Sequence, residues 1–276
     1  DLDMEGVSRV FLSDTQAVWV TPENQQIKLK KNRDFEFSGK VHAGRSDFFG
    51  KKFEFIYDQF KFNLATIDSI RLKVVSDNEL DENGNPKLIP LKSTLQNVSG
   101  VLYIDSLNNK SSRKSYSQYP KFVSDKESYV YYDHPSIYGG VYDRNKFYFK
   151  IEPFTIDSLD NFSSGGMKFA GTFVSGGIFP DIKEMAVIRP DYSFGFERNS
   201  PSEGYPMYNG KGTYTNHIDL SYAGLLGDGK VDYLSSSSTS KEIVFFIDST
   251  NLKNAAFDLR KETIAGVGYP DAQGKQ

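Results

Sequence analysis

The sequence predicts an all-β protein, and three observations carry that prediction. Apolar and polar residues alternate along many short segments, Phe and Tyr are abundant, and turn-forming residues separate the segments. Side chains point to opposite faces of a strand in turn, so a period of two buries one face of a sheet and wets the other.

The alternation begins at "IKLK" (Ile27, Leu29) and "FEFSG" (Phe35, Phe37), and continues in "FEFIYD" (Phe53, Phe55, Tyr57) and "FKFNL" (Phe60, Phe62, Leu64). It recurs in "IRLKV" (Ile70, Leu72, Val74), "FYFKI" (Phe147, Phe149, Ile151) and "YSFGFE" (Tyr192, Phe194, Phe196). The 22 Phe and 17 Tyr, against one Trp, suit a pleated and half-buried surface. Two short stretches, 158–162 and 252–257, are the best helical candidates, and no apolar stripe of helical period runs longer than two turns.

Turn signals fall between these runs. "DENGNP" (Asp81–Pro86) holds Asn83-Gly84, a strong hairpin signal. "GDGK" (Gly227–Lys230) reads as a second turn, and "SSSSTS" (Ser235–Ser240) as a low-complexity patch. Glycine follows aromatic or aliphatic residues in "FSGK", "FFGK" and "FAGT", where it supplies a bend, a bulge or a positive φ. The expected architecture is a β-solenoid-like or groove-shaped stack of strands, with a large β-sandwich carrying elaborated loops as the alternative. One all-β domain is expected over 1–265, with a tyrosine-rich insertion at 108–145 and a linker or tail at 266–276. The opening "DLDMEG" carries neither an initiator Met nor a signal peptide, so the chain reads as a fragment of a longer protein.

The tripeptide Ile-Asp-Ser occurs four times, with its aspartates at Asp68, Asp105, Asp157 and Asp248. The irregular spacing excludes a fixed-period repeat. Asp and Ser side chains bond nearby backbone N–H groups, so each copy is expected to be a corner that ends a strand. A calcium-binding array of these carboxylates is the competing reading.

Composition narrows the function. A net charge of -3 lacks the basic face that nucleic acid requires, and gives no polybasic membrane anchor. The absence of cysteine rules out disulfides, thiolate metal sites and cysteine nucleophiles. No apolar run reaches the roughly 18–20 residues that span a bilayer. The three histidines, His42, His134 and His217, are far apart in sequence, and Glu79, Asp81 and Asn83 open a calcium-like loop that Pro90 fails to close. Neither a metal nor a cofactor is therefore expected. His42 and His217 read as strand residues facing solvent or filling a sheet edge.

The segment 108–145 holds seven of the 17 tyrosines and breaks the strand rhythm. Within it Tyr131, Tyr132, Asp133, His134, Tyr138, Tyr142 and Arg144 crowd together as the candidate ligand-binding set. Tyrosine offers a ring face and a hydroxyl to a sugar or a partner, while Asp and Arg give fixed polar contacts. A Tyr/His/Arg set can also serve a polysaccharide lyase. The bland alternative folds the rings onto the sheet.

Two long stretches, "FFGKKFEFIYDQFKFNLATIDSIRL" and the Phe/Gly-rich run from "FAGTFVSGG" to "FFIDS", resemble segments of very long, poorly characterised β-rich proteins of Bacteroidota cell envelopes. The similarity covers most of the chain from Phe35 onward. It implies an exported, cell-envelope or extracellular β-repeat portion, and carries over no catalytic residue. More distantly, "FSGKVHAGRSDFFGKKFEF" is similar to rungs of β-groove lipid-transport bridge proteins, which implies an apolar-lined groove. The expected function is a non-enzymatic envelope or surface scaffold that binds an envelope protein, lipid or glycan. The alternative is a carbohydrate-active module that binds or cleaves a polysaccharide through the tyrosine-rich segment.

Overall fold

The computed structural model describes residues 1–162 and 165–259. They form twenty-two strands and three single 3-10 turns, with no α-helix among the described residues. The all-β expectation holds. Both helical candidates fail: 158–162 is a turn, and 252–257 bridges two short antiparallel strands. The contacts fall into two compact units where the sequence suggests one domain. The first takes Asp1–Gly176, Asp181–Phe196 and Leu220–Gly224; the second takes Gly177–Pro180, Glu197–Asp219 and Leu225–Gln276. The expected tail at 266–276 lies outside the described residues.

In chain order the strands begin β1 (Leu2–Met4), β2 (Val10–Ser13), β3 (Val18–Pro22), β4 (Ile27–Leu29), β5 (Phe35–Ala43), β6 (Ser46–Ile56), β7 (Lys61–Leu80) and β8 (Pro86–Pro90). There follow β9 (Leu95–Tyr103), β10 (Lys121–Ser124), β11 (Ser128–Tyr131), β12 (Phe147–Ile151), β13 (Thr155–Ile156), β14 (Lys168–Ser175), β15 (Ile182–Ile188) and β16 (Phe194–Asn199). The last are β17 (Tyr205–Met207), β18 (Gly212–Ser221), β19 (Gly224–Tyr233), β20 (Ser236–Phe245), β21 (Thr250–Lys253) and β22 (Ala256–Leu259).

The first unit is an antiparallel meander. β5 pairs with β6, β6 with β7 and β7 with β9, whose far edge carries β10 and β11. From β11 the succession continues through β12, β14, β15 and β16. Register puts the phenylalanines on one face: Phe35, Phe55, Phe62, Leu102 and Phe122 stand directly across from one another on successive strands, all buried. Phe48 on β6 meets Phe122 on β10 with ring centroids 5.0 Å apart, so the sheet curls with this face inward.

Glycine at two strand positions serves close approach more than turning. Gly171 on β14 sits so near β12 that a Cβ there would lie 2.2 Å from the Lys150 carbonyl oxygen and 2.5 Å from the Phe149 ring. Gly100 makes the same approach to Val123 and the Phe122 ring. In each case an aromatic ring of the adjacent strand fills the place of the missing side chain.

The Ile-Asp-Ser copies divide. Asp105 ends β9 and is 2% exposed; its carboxylate accepts hydrogen bonds from the Ser106 N–H (2.6 Å), Asn109 Nδ2 (2.9 Å) and Gln16 Nε2 (3.4 Å). Asp157 follows β13 and pairs with Lys121 at 3.2 Å, and Asp248 lies in the turn after β20. Asp68 overturns the expectation of a strand end. Phe49 pairs with Ser69 and Gly50 with Ile67, so Asp68 is the extra residue of a β-bulge while β7 runs on to Leu80.

The Asn83-Gly84 hairpin forms as expected. The Asp81 carboxylate accepts the backbone N–H groups of Asn83 and Asn85, each at 2.9 Å, and this backbone bonding holds it below the usual carboxylate range. "GDGK" is no turn; it is a bulge between Gly227 and Gly229 inside β19, and the chain reverses instead at Tyr222–Ala223. "SSSSTS" becomes the start of β20.

On the outer face of the first unit, Phe11, Trp19, His42, Asp47 and Arg71 stand in one cross-strand row. His42 stacks on Trp19 at 3.7 Å between centroids and bonds Asp47 Oδ1 through Nδ1 at 2.7 Å. Burial pushes the Asp47 carboxyl up, but the His42 hydrogen bond and the charges of His42, Lys40 and Lys73 outweigh it and leave it lowered. A depressed carboxyl contributes stability above its unfolded pKa of about 3.9 and loses it as pH falls through the folded value. Thermal melts of Asp47→Asn should therefore lie below the parent near neutrality, and the gap should close in acid. A gap that stays constant into strong acid would exclude this coupling.

Candidate functional site

The tyrosine-rich insertion contains two short strands, and these sort its residues. β10 and β11 both lie inside 108–145. Along Ser128–Tyr132 the burial alternates, with Tyr129 and Tyr131 part-exposed and Ser128, Val130 and Tyr132 buried. Tyr132 and Tyr142, two members of the expected ligand-binding set, are 0% and 1% exposed. Tyr132 donates its hydroxyl to the Phe194 carbonyl at 2.9 Å, and burial drives that hydroxyl's pKa well up. Tyr142 stacks on Phe147 at 3.9 Å. Their rings belong to the core, as a deeply buried aromatic on an inward-facing position must.

The other five lie at the surface. Arg144 reaches back to Asp133, with Nε 2.7 Å from Oδ2, and donates from Nη1 to Gln96 Oε1 at 3.2 Å. The bond to Asp133 raises the arginine pKa further. Its guanidinium lies 4.1 Å from the Tyr131 ring centroid. Tyr131 accepts a hydrogen bond from Asn97 Nδ2 at 3.2 Å, and burial raises its pKa in spite of the nearby arginine. His134 accepts the Ser136 N–H at Nδ1 (3.1 Å) and stacks loosely on Tyr222, 6.1 Å between centroids.

Tyr138 is 48% exposed and adopts a left-handed φ of 47°. Its ring lies against Gly224, where a Cβ would come 2.6 Å from Cε2. Gly224 itself has φ +102, so both space and backbone require glycine there.

Three residues outside the expected set complete the face. Tyr148 on β12 pairs directly with Tyr131, and Tyr129 is two positions before it on the same strand. Tyr129 lies nearly parallel to Tyr131 (5.8 Å, 12°), and Tyr148 meets both edge-on at 5.6 and 6.3 Å. Gln96, opposite Tyr129 on β9, anchors Arg144. The signal for them is the same period of two: Tyr148 sits between the buried Phe147 and Phe149 and must face outward. The result is a Tyr/Arg face that draws on three adjacent strands, β9, β11 and β12, and on the turn that carries Arg144.

The phenylalanines of the inner face are closed. Phe48, Phe53, Phe62, Phe122, Phe147, Phe149 and Phe173 are all 0% exposed, so they line no open apolar channel. A surface cavity of about 720 Å³ is lined by Glu5, Glu23, Lys28, Glu36, Lys52 and other mostly polar residues around β1, β4 and β5. Among the described residues no three His, Asp or Glu side chains group as metal ligands would, and no helix is long and apolar enough to cross a membrane.

The fold and this face define a class: an antiparallel all-β chain carrying a rigid tyrosine-arginine surface. No family model, curated protein or solved structure matches the chain.

Proposed function

We propose that the chain is a non-enzymatic β-scaffold of the cell envelope or cell surface that binds a protein partner through the Tyr129–Tyr131–Tyr148–Arg144 face. The carrying observation is that these side chains are part-exposed yet held: Arg144 by Asp133 and Gln96, Tyr131 by Asn97. Tyr and Arg fixed in place are the residues enriched at interface hot spots, because little conformational entropy remains to be lost on binding. A sugar needs an open ring face, and here Arg144 covers Tyr131 and Tyr148 meets it edge-on. Lipid needs an open apolar groove, and the inner-face phenylalanines are sealed. The export of the chain is supported by the resemblance of its Phe/Gly strand segments to envelope proteins. For the architecture we infer a groove-shaped stack, supported by the chain-order antiparallel succession from β5 to β16 and the inward curl.

A photo-crosslinking residue at position 129 or 148, introduced in intact cells, should give a discrete protein adduct in the envelope fraction. The same residue at exposed Glu203 should give none. Adducts to glycan alone, or none at either position, would remove the protein-partner reading. Tyr131→Ala and Tyr148→Ala should change folding stability by no more than ~1 kcal/mol, since half-exposed rings are truncated without opening a cavity, while the adduct weakens.

A further inference from the structure

In the second unit the sheet around β20 carries exposed apolar side chains at its β22 edge. β20 carries β19 on one edge and β22 on the other. Register places Val231, Ser238 and Phe257 in one cross-strand row and Tyr233, Ser236 and Leu259 in the next, on the same face. The small serines of the middle strand leave a trough between two apolar walls. Tyr233 is 47% exposed, Phe257 61% and Leu259 72%. The opposite face carries Lys230 and Asp232, ion-paired at 2.9 Å, and Asp258, which has no cationic partner among the described residues. β22 pairs only with β20 among the described residues, and its outer edge has neither the lysine nor the proline that commonly blocks such edges.

We propose that the outer edge of β22, which no described strand pairs, docks an extended strand of a partner protein in which a lysine or arginine stands between two apolar residues. Backbone hydrogen bonds to β22 hold the strand, its apolar residues continue the Phe257/Leu259 wall, and its cation faces Asp258 across the pair. A second copy of the chain fits poorly for two reasons. Four apolar side chains fall far short of the ~800 Å² per partner that a stable dimer buries. A self-pair of β22 centred on Asp258 also sets two carboxylates against each other, and one slipped by a residue puts Phe257 opposite a carboxylate. The site lies in the second unit and is independent of the tyrosine face.

The test uses the full chain and two labelled peptides, Thr-Val-Lys-Val-Thr and Thr-Val-Glu-Val-Thr, with fluorescence anisotropy as the readout. The lysine peptide should bind saturably and about fivefold more tightly than the glutamate peptide, the scale of exchanging an attractive for a repulsive cross-strand pair. Asp258→Lys should reverse that order. Phe257→Ser with Leu259→Ser should weaken the lysine peptide more than about tenfold, the loss of two apolar contacts, with an unchanged melt because both side chains are exposed. Equal binding of the two peptides, no binding, or full binding to the double serine variant would each overturn the proposal. So would concentration-dependent dimerisation in sedimentation that the serine pair abolishes, which would make a second copy the occupant.

Discussion

Gly171→Ala should destabilise the first unit by about 3 kcal/mol or more, at the upper end of overpacking costs. The added methyl would lie 2.2 Å from a backbone oxygen of β12 and 2.5 Å from the Phe149 ring. The ring has little room to give, being 0% exposed and packed against Phe196 at 6.1 Å. The carbonyl is fixed by the β12–β14 ladder, in which Lys150 faces Thr172 and Ile151 faces Gly171. Urea unfolding measures the loss directly. Gly84→Ala is the control: its φ is +80 but nothing lies within 4 Å, so only the left-handed backbone cost of ~1 kcal/mol applies. Equal losses at the two sites would show that conformation, and not close approach, sets the role of glycine in these strands.

The second large effect separates tyrosines that adjoin in sequence. Tyr132→Ala should cost at least ~3 kcal/mol, because a fully buried aromatic is removed and the Phe194 carbonyl loses its donor. Tyr142→Ala should fall in the same range, since it empties the stack on Phe147. Tyr131→Ala, one residue away from Tyr132, should be nearly silent in the same melt. Comparable losses at positions 131 and 132 would mean that the alternation along β11 is wrong.

That contrast also marks how far the sequence could be read. Alternation alone located β5, β6, β7 and β12 and chose their buried faces correctly, because a strand with one wet face carries its register in its hydrophobicity. The Asn83-Gly84 hairpin was equally legible, since its geometry is local. Crowding in sequence misled at Tyr132 and Tyr142: seven polar-looking residues within fourteen positions suggested one surface, but the pleat sends Tyr132 to the side opposite Tyr131, and Tyr142 folds inward from the loop before β12 onto Phe147. Tyr129 and Tyr148 escaped notice for the converse reason, since only strand pairing brings positions 131 and 148 together. Asp68 and the "GDGK" stretch failed because a bulge and a turn draw on the same residues, and only the partner strand decides between them. The Trp19–His42–Asp47 row is invisible to a one-strand reading, being assembled from three strands.

β7 has a consequence of its own. Through Leu72 it lies between β6 and β9, with Phe62, Leu64, Ile67 and Ile70 at 0–1% exposure; beyond Lys73 it pairs with β8, and that hairpin ends among exposed residues such as Leu80 and Leu88. A two-stranded ribbon is marginal in water by itself, whereas a central strand opens only with its whole sheet. One continuous backbone therefore has two lifetimes. Its first half is locked for as long as the unit stays folded, as are Val74 and Ser76 at 0% and 3% exposure, and the exposed hairpin beyond them is expected to open by itself. The arm can bend, be captured or be cut near Asn83-Gly84 without the cost of unfolding reaching the sheet that anchors it.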